Sequence, residues 1–353
     1  MYDERMKYNR WVKAWIVTGL VMVLMQIVLG GITRLTESGL SITKWEPIGG
    51  IIPPLSDSDW NAKFELYKNT PQYREVFEGI SMSDFKFIFF WEFIHRLWAR
   101  FMGFVFLVPF IIFLYKKWID PPLIKKLLWV ILLSILAAVF GWIMVKSGLL
   151  DRPWVNAYKL SIHFLIAISV YTALYYCYAY VSGWFDNPKY KLQRRSILIL
   201  LGLVFVQLFL GGIISGMKAA VIFPTWPLIG NEFFPHILFS SESWKVENFI
   251  NYDQNVFMPS LVHFLHRMTA YIIFVYVIWF ILKVYNKGNY PLKRDLSLLF
   301  FMLISQIFIG IIMLINSKGE VPVSLGVLHQ LVAVLFLTSI LTLLFKSRYQ
   351  QKI

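Results

Sequence analysis

Eight stretches of this chain are apolar over roughly the 20 residues that a bilayer-spanning helix needs. Six are bounded cleanly by charge or turn residues: 14–32, 127–145, 160–184, 196–217, 296–317 and 321–345. Two carry polar residues at one end. The run 87–115 holds Glu92, His95, Arg96 and Arg100, and the run 257–282 holds His263, His266 and Arg267. No soluble fold buries eight such runs, so the pattern predicts an all-α polytopic membrane protein with eight transmembrane helices. The first run is longer than an apolar signal core and lacks a small-residue cleavage site, so it reads as the first span. Composition agrees, with 58% hydrophobic and only 15% charged residues, against about 25% charged in soluble domains.

The net charge of +14 would suggest nucleic acid in a soluble chain. Here the basic residues cluster in alternate loops. Arg5, Lys7, Arg10 and Lys13 precede the first span. Lys116, Lys117, Lys125 and Lys126 follow the second; Lys189, Lys191, Arg194 and Arg195 follow the fourth. Lys283, Lys287, Lys293 and Arg294 follow the sixth, and Lys346, Arg348 and Lys352 follow the eighth. The positive-inside rule then places both termini in the cytoplasm and the long loops 33–86 and 218–256 outside. Topology accounts for the charge, and nucleic acid drops out as a partner. A single cysteine, Cys177, excludes an internal disulfide and any cysteine-cluster metal site.

The chain repeats itself. Gln26-Ile27-Val28-Leu29-Gly30-Gly31-Ile32 matches Gln207-Leu208-Phe209-Leu210-Gly211-Gly212-Ile213, and Phe93-Ile94-His95-Arg96 matches Phe264-Leu265-His266-Arg267. Gly141-Trp142-Ile143-Met144 parallels Gly310-Ile311-Ile312-Met313, and the loops share a Trp/Pro/Gly pattern, Trp45 to Pro53 against Trp226 to Pro235. Four helices per half imply a parallel repeat about an axis along the membrane normal. The expected organisation is two four-helix bundles, 1–180 and 196–353, joined by a cytoplasmic linker at 181–195.

Histidine carries the chemistry. His95 and His163 in the first half, and His266 and His329 in the second, lie near the outer ends of inward-running helices. Ionisable residues in spans are costly and usually functional. Two histidines on facing helices can ligate one haem iron axially, giving the pairs His95 with His163 and His266 with His329. Arg96 and Arg267 directly follow a ligand candidate and suit haem propionates. Zinc fits less well, because each half offers two obvious ligands and no third. His263 could compete as a ligand, although the repeat aligns it with Glu92. His236 reads as a polar loop residue. The Gly-Gly pairs permit close packing of a helix or a flat cofactor.

The halves also differ. Extending the Gly-Gly alignment sets Glu37 opposite Lys218, and only the first half has the run Arg34 to Ser41 at its helix mouth. A carboxylate over one porphyrin could act as a base toward water or stabilise positive charge developing on the ring.

The run Gly30-Gly31-Ile32-Thr33-Arg34-Leu35-Thr36-Glu37-Ser38-Gly39-Leu40-Ser41 resembles the hallmark of the haem A synthase family. So do Trp45-Glu46-Pro47-Ile48-Gly49-Gly50, Glu92-Phe93-Ile94-His95-Arg96, Met144-Val145-Lys146-Ser147-Gly148-Leu149, Trp226-Pro227-Leu228-Ile229 and His266-Arg267. The likeness covers nearly the whole chain. It is closest to the proteobacterial and mitochondrial branch, which lacks an outer-loop cysteine pair. The resemblance implies oxidation of the C8 methyl of haem O to a formyl group, through two hydroxylations and loss of water, to supply haem A for cytochrome oxidase. It implies a haem b cofactor on His266 and His329, substrate haem O on His95 and His163, and Glu37 as the catalytic residue. It further implies a cell inner membrane location with the haem sites toward the periplasm. Haem O synthase, a quinone or other electron acceptor, and a second copy of the chain are compatible partners. One departure is Tyr158-Lys159, where the family usually has tyrosine-arginine; the arginine contact is lost and the ligand is not. The residues alone also admit a non-enzymatic di-haem b electron-transfer cytochrome, which leaves Glu37 unexplained, or a haem carrier.

Overall fold

The computed structural model describes residues 8–44, 50–150, 152–185, 190–191, 194–285 and 292–348. The motif residues Trp45-Glu46-Pro47-Ile48-Gly49, much of the 181–195 linker and the basic residues Arg5, Lys7, Lys189, Lys287 and Lys352 lie outside the described residues.

All eight expected spans are present as helices long and apolar enough to cross a membrane. They are α1 (Arg10–Leu35), α4 (Met82–Tyr115), α5 (Pro121–Leu150), α6 (Ala157–Val181), α7 (Arg194–Gly216), α10 (Phe257–Tyr285), α11 (Lys293–Ile315) and α12 (Val323–Lys346). Short helices occupy the loops: α2 (Asp57–Lys68), α3 (Pro71–Glu75), α8 (Ala219–Ile222) and α9 (Val246–Ile250). The protein is a multi-pass, all-α membrane protein. Two-residue segments of the linker and the tail, Tyr190–Lys191 and Ser347–Arg348, pair in parallel at the end opposite the long loops.

Local chemistry sets the helix starts. The Asn9 side chain accepts from Trp11 N, and Asn156 accepts from Tyr158 N and Lys159 N. Ser56 and Asp59 form a reciprocal capping box at α2. Ser81 caps α4 by accepting from Asp84 N, so α4 begins five residues before the apolar run does. Its 34 residues reach roughly 51 Å, well beyond a hydrocarbon core of about 30 Å. The surplus turn is buried by the loop helices: Phe85, Ile88, Phe89 and Phe93 of α4 pack on Phe64 and Tyr67 of α2.

Four helices form the centre. α1 packs on α4 and α6 of its own half and on α12 of the other; α7 packs on α10 and α12 and on α6 of the first half. Val12, Ile16, Ile168, Val277, Leu299, Leu337 and Ile340 belong to one hydrophobic core that runs through both halves. Hydroxyl pairs stitch α6 to α12, Tyr171 to Thr338 at 2.9 Å and Tyr175 to Thr342 at 2.6 Å. The outer helices α4, α5, α10 and α11 expose Phe104, Ile111, Trp129, Ile135, Val275 and Phe308, as lipid-facing surfaces do. Consecutive helices α4 and α5 scarcely touch, because α4 leans on α1 and α5 on α6.

Candidate functional site

The four paired histidines all line one cavity of about 1880 Å³ that both halves enclose. Its volume is about twice the upper end of the ~300–1,000 Å³ typical of small-molecule sites. Each imidazole lies against a glycine of a neighbouring helix. A Cβ at Gly30 would stand 3.2 Å from His95 Nε2, and one at Gly211 3.3 Å from His266 Cε1. On the other side of each half, a Cβ at Gly141 would meet His163 Cε1 at 3.0 Å, and one at Gly310 would meet His329 Cε1 at 2.7 Å. Every ring therefore occupies space that any side chain larger than hydrogen would take. Within each pair the rings are near enough to interact electrostatically, His95 with His163 and His266 with His329.

The second glycine of each pair faces the opposite half. Gly31 on α1 receives the Gln330 amide of α12, and Gly212 on α7 receives Ser161 of α6. Gln330 Nε2 donates to Ile27 O at 2.7 Å, and Ser161 Oγ donates to Phe209 O at 2.6 Å. One glycine thus admits a histidine and the next locks the halves together.

Several residues that line this cavity carry buried polar atoms without a hydrogen-bond partner: Nδ1 of His163, His266 and His329, and the amide oxygens of Gln26, Gln207 and Gln306. Orphaned buried groups are rare unless something not yet in place satisfies them. Two pairs of imidazoles lining one largely apolar chamber are a donor set that suits a porphyrin iron. Among the described residues, no three His, Cys, Asp or Glu side chains come together as a metal cage.

Both arginines are held by their own loops. Arg96 Nη2 donates to Glu92 Oε1 at 2.5 Å and to Ile42 O at 3.2 Å. Buried Glu92 also accepts from Ser41 Oγ at 2.7 Å and from Ile42 N at 2.8 Å. Arg267 donates to Pro227 O and, at 3.0 Å, to Thr225 O, while Nη2 lies 3.4 Å from His263 Nδ1. Glu92 and His263, which the sequence aligns, play the same part: each pairs with the arginine one turn on. His263 is buried beside Arg267 and Phe223. His236 is almost fully exposed next to Glu232.

Glu37 stands at the mouth. Its carboxylate accepts from Lys218 Nζ, the residue that the repeat sets opposite it. Both residues have left-handed backbones, φ 56° and 53°. Such conformations cost on the order of 1–3 kcal/mol each in a non-glycine residue. A half-exposed ion pair returns only ~0.2–1 kcal/mol, so stability does not account for the arrangement. The Glu37 carbonyl accepts from Gln72 Nε2 at 2.9 Å, and Tyr67 OH donates to Gln72 Oε1 at 3.0 Å. Burial, with help from the Glu92 and Glu37 charges, pushes the Tyr67 phenol up, which keeps it a donor. Arg34 Nη2 crosses to the end of α7, donating to Ser215 O at 2.5 Å and Gly216 O at 3.4 Å.

Sequence reasoning missed the glutamines and Lys218 as site residues. Their signal was present: Gln26 and Gln207 stand one turn before Gly30 and Gly211, on the same helix face. It also missed the α2–α3 cap, although Ser56-x-x-Asp59 marks its start.

Fold and site together define a multi-pass membrane protein with four histidines of four different spans, each seated on a glycine, around one cavity. The family model COX15-CtaA, described as cytochrome oxidase assembly protein, matches residues 13–341, and the chain belongs to that family. Among its relatives, the protein named Heme A synthase of Nitrosospira multiformis is 37% identical over 359 residues, covering 99% of this chain and 96% of the relative. Those of the same name from Pelagibacter ubique and Rickettsia bellii are each 35% identical, covering 98% and 93% of this chain and 99% and 95% of theirs.

Proposed function

We propose that this chain is a haem A synthase, a membrane oxidoreductase that converts the C8 methyl of haem O into a formyl group. The observation that carries this reading is the asymmetry of the shared cavity: two similar histidine pairs, with a carboxylate, Glu37, at the mouth of one. Electron transfer alone would need no such difference.

His95 and His163 would hold substrate haem O, and His266 and His329 would hold a haem b cofactor. When bound, that haem b supplies a one-electron relay. Glu37 lines the cavity, where its carboxylate would take a proton from water or balance positive charge developing on the substrate ring. Taking oxygen from water, methyl-to-formyl conversion releases four electrons and four protons, so an acceptor of the quinone class or another carrier is required. Arg96 and Arg267 bind their outer loops and border the cavity, and their guanidinium groups would suit haem propionates. The sparse α4–α5 seam suits lateral passage of a prenylated substrate from lipid. With both termini cytoplasmic, the haem sites face the periplasmic side of the inner membrane.

The test is acid extraction and chromatography of the haems in protein co-produced with a haem O source. Haem A with a hydroxylated intermediate is expected, and Glu37→Gln should retain haem O without converting it. Haem b alone, near two per chain, would replace this reading with a di-haem electron-transfer cytochrome.

A further inference from the structure

We propose that Lys218, a residue of the second half, is a positioning residue for Glu37, so that the first half's reactive site is completed by the second half. The inference rests on the reading of Glu37 given above.

Three observations carry it. The Lys218 ammonium binds the Glu37 carboxylate directly and sits 5.1 Å over the Trp154 ring, which backs it from the first half. Both charges project from left-handed residues that end α1 and α7, and their strain exceeds what the pair returns in stability. The two helix ends are themselves clamped by Arg34, whose guanidinium reaches the Ser215 and Gly216 carbonyls, three and two residues before Lys218. The Glu37 main chain is fixed separately by Gln72. Its backbone is thus held by the first half and its side chain is aimed by the second. A carboxylate on a flexible side chain gains catalytic value only when its direction is set.

The experiment compares full-length wild type, Glu37→Gln, Lys218→Met, Lys218→Arg and the Glu37→Gln/Lys218→Met double variant, each co-produced with a haem O source. Lys218→Met should lower haem A formation by about a hundredfold, the scale of a small misplacement of a catalytic group. It should keep the haem b spectrum and bound haem O. Lys218→Arg should recover most of the loss. In thermal unfolding, the single variants and the double should show coupling, the double losing less than the two singles added. Wild-type haem A in Lys218→Met, with Glu37→Gln inactive, overturns this inference and leaves the function standing. Normal haem A in Glu37→Gln overturns the reading of Glu37 and this inference with it. Loss of haem b in Lys218→Met, or no rescue by Lys218→Arg, makes Lys218 a structural brace and also overturns it; additive unfolding means that the two side chains do not act on each other and overturns it as well.

Discussion

The two mouths of the cavity start from the same frame and finish differently. In the first half, α2, α3 and the overhang of α4 form a packed cap around Phe64, Tyr67 and Phe85. A buried carboxylate, Glu92, organises it by accepting from Ser41, Ile42 and Arg96. In the second half the corresponding loop has only short helical turns; Ile237, Leu238, Phe249 and Tyr252 pack on Phe257, Met258 and Val262 of α10, while Phe239, Trp244, Val246 and Ile250 are exposed. There His263 takes the place of Glu92. The lesson is that the same frame, a histidine seated on a glycine, tolerates two covers, each with its own apolar core. The cover with an anionic centre accompanies the half that carries Glu37.

The largest effects should come from the ligands, and they should differ between halves. His95→Ala is expected to abolish haem A while keeping the low-spin haem b spectrum. His266→Ala is expected to lose that spectrum and haem A together, as read by optical spectroscopy and haem extraction. If both variants lost the same haem, the division of roles between the halves would be broken.

Next come the covers. Glu92→Ala leaves the Arg96 guanidinium and the Ser41 and Ile42 donors without their acceptor. Breaking a buried pair costs about 3–5 kcal/mol, so thermal stability should drop sharply and the 33–86 loop should become protease-sensitive. His263→Ala removes one long contact and should cost ~1–2 kcal/mol. Equal losses would show that the two covers contribute alike.

The glycine seats should show a graded response. Gly310→Ala drives a methyl to 2.7 Å from His329, whereas Gly211→Ala meets His266 at 3.3 Å. Overpacking costs about 1–3 kcal/mol, so the first should perturb the haem b line shape more than the second. The smallest effect concerns Asp253, which bonds Arg152 and Trp154 and ties the 152–154 loop to the second half's cover. Burial pushes its carboxyl above the usual range, outweighing those partners. A raised carboxyl pKa means the folded state holds the proton longer, so this group's contribution to stability falls as pH rises through the window above 3.8. Melting curves of Asp253→Asn should lack that slope.

Much of this was legible in the sequence, for physical reasons. A bilayer allows only fully hydrogen-bonded spans, so apolar length alone gave the eight helices. Duplication made His95, His163, His266 and His329 visible as a set. The glycine beneath each ring was visible as part of a motif but not as a seat, because only packing says which side chain fills the space. The α2–α3 cap lay in a loop of mixed charge, where amphipathic signals are short. The pairing of Arg96 with Glu92 was open to an i, i+4 reading, yet propionate chemistry drew attention elsewhere. The alignment set Glu37 and Lys218 opposite each other; that the two touch depends on how closely α1 and α7 end, which no local pattern encodes.

That contact has a consequence for how such a molecule could arise. Two identical four-helix subunits related by a dyad would present the same side chain from each to the axis. Glutamate would face glutamate there, or lysine would face lysine, and the mouth would carry like charges. An acid on one side and a base on the other require two subunits that can mutate separately. Tandem fusion supplies that freedom, and the Glu37–Lys218 pair is a feature that no symmetric homodimer of either half could contain.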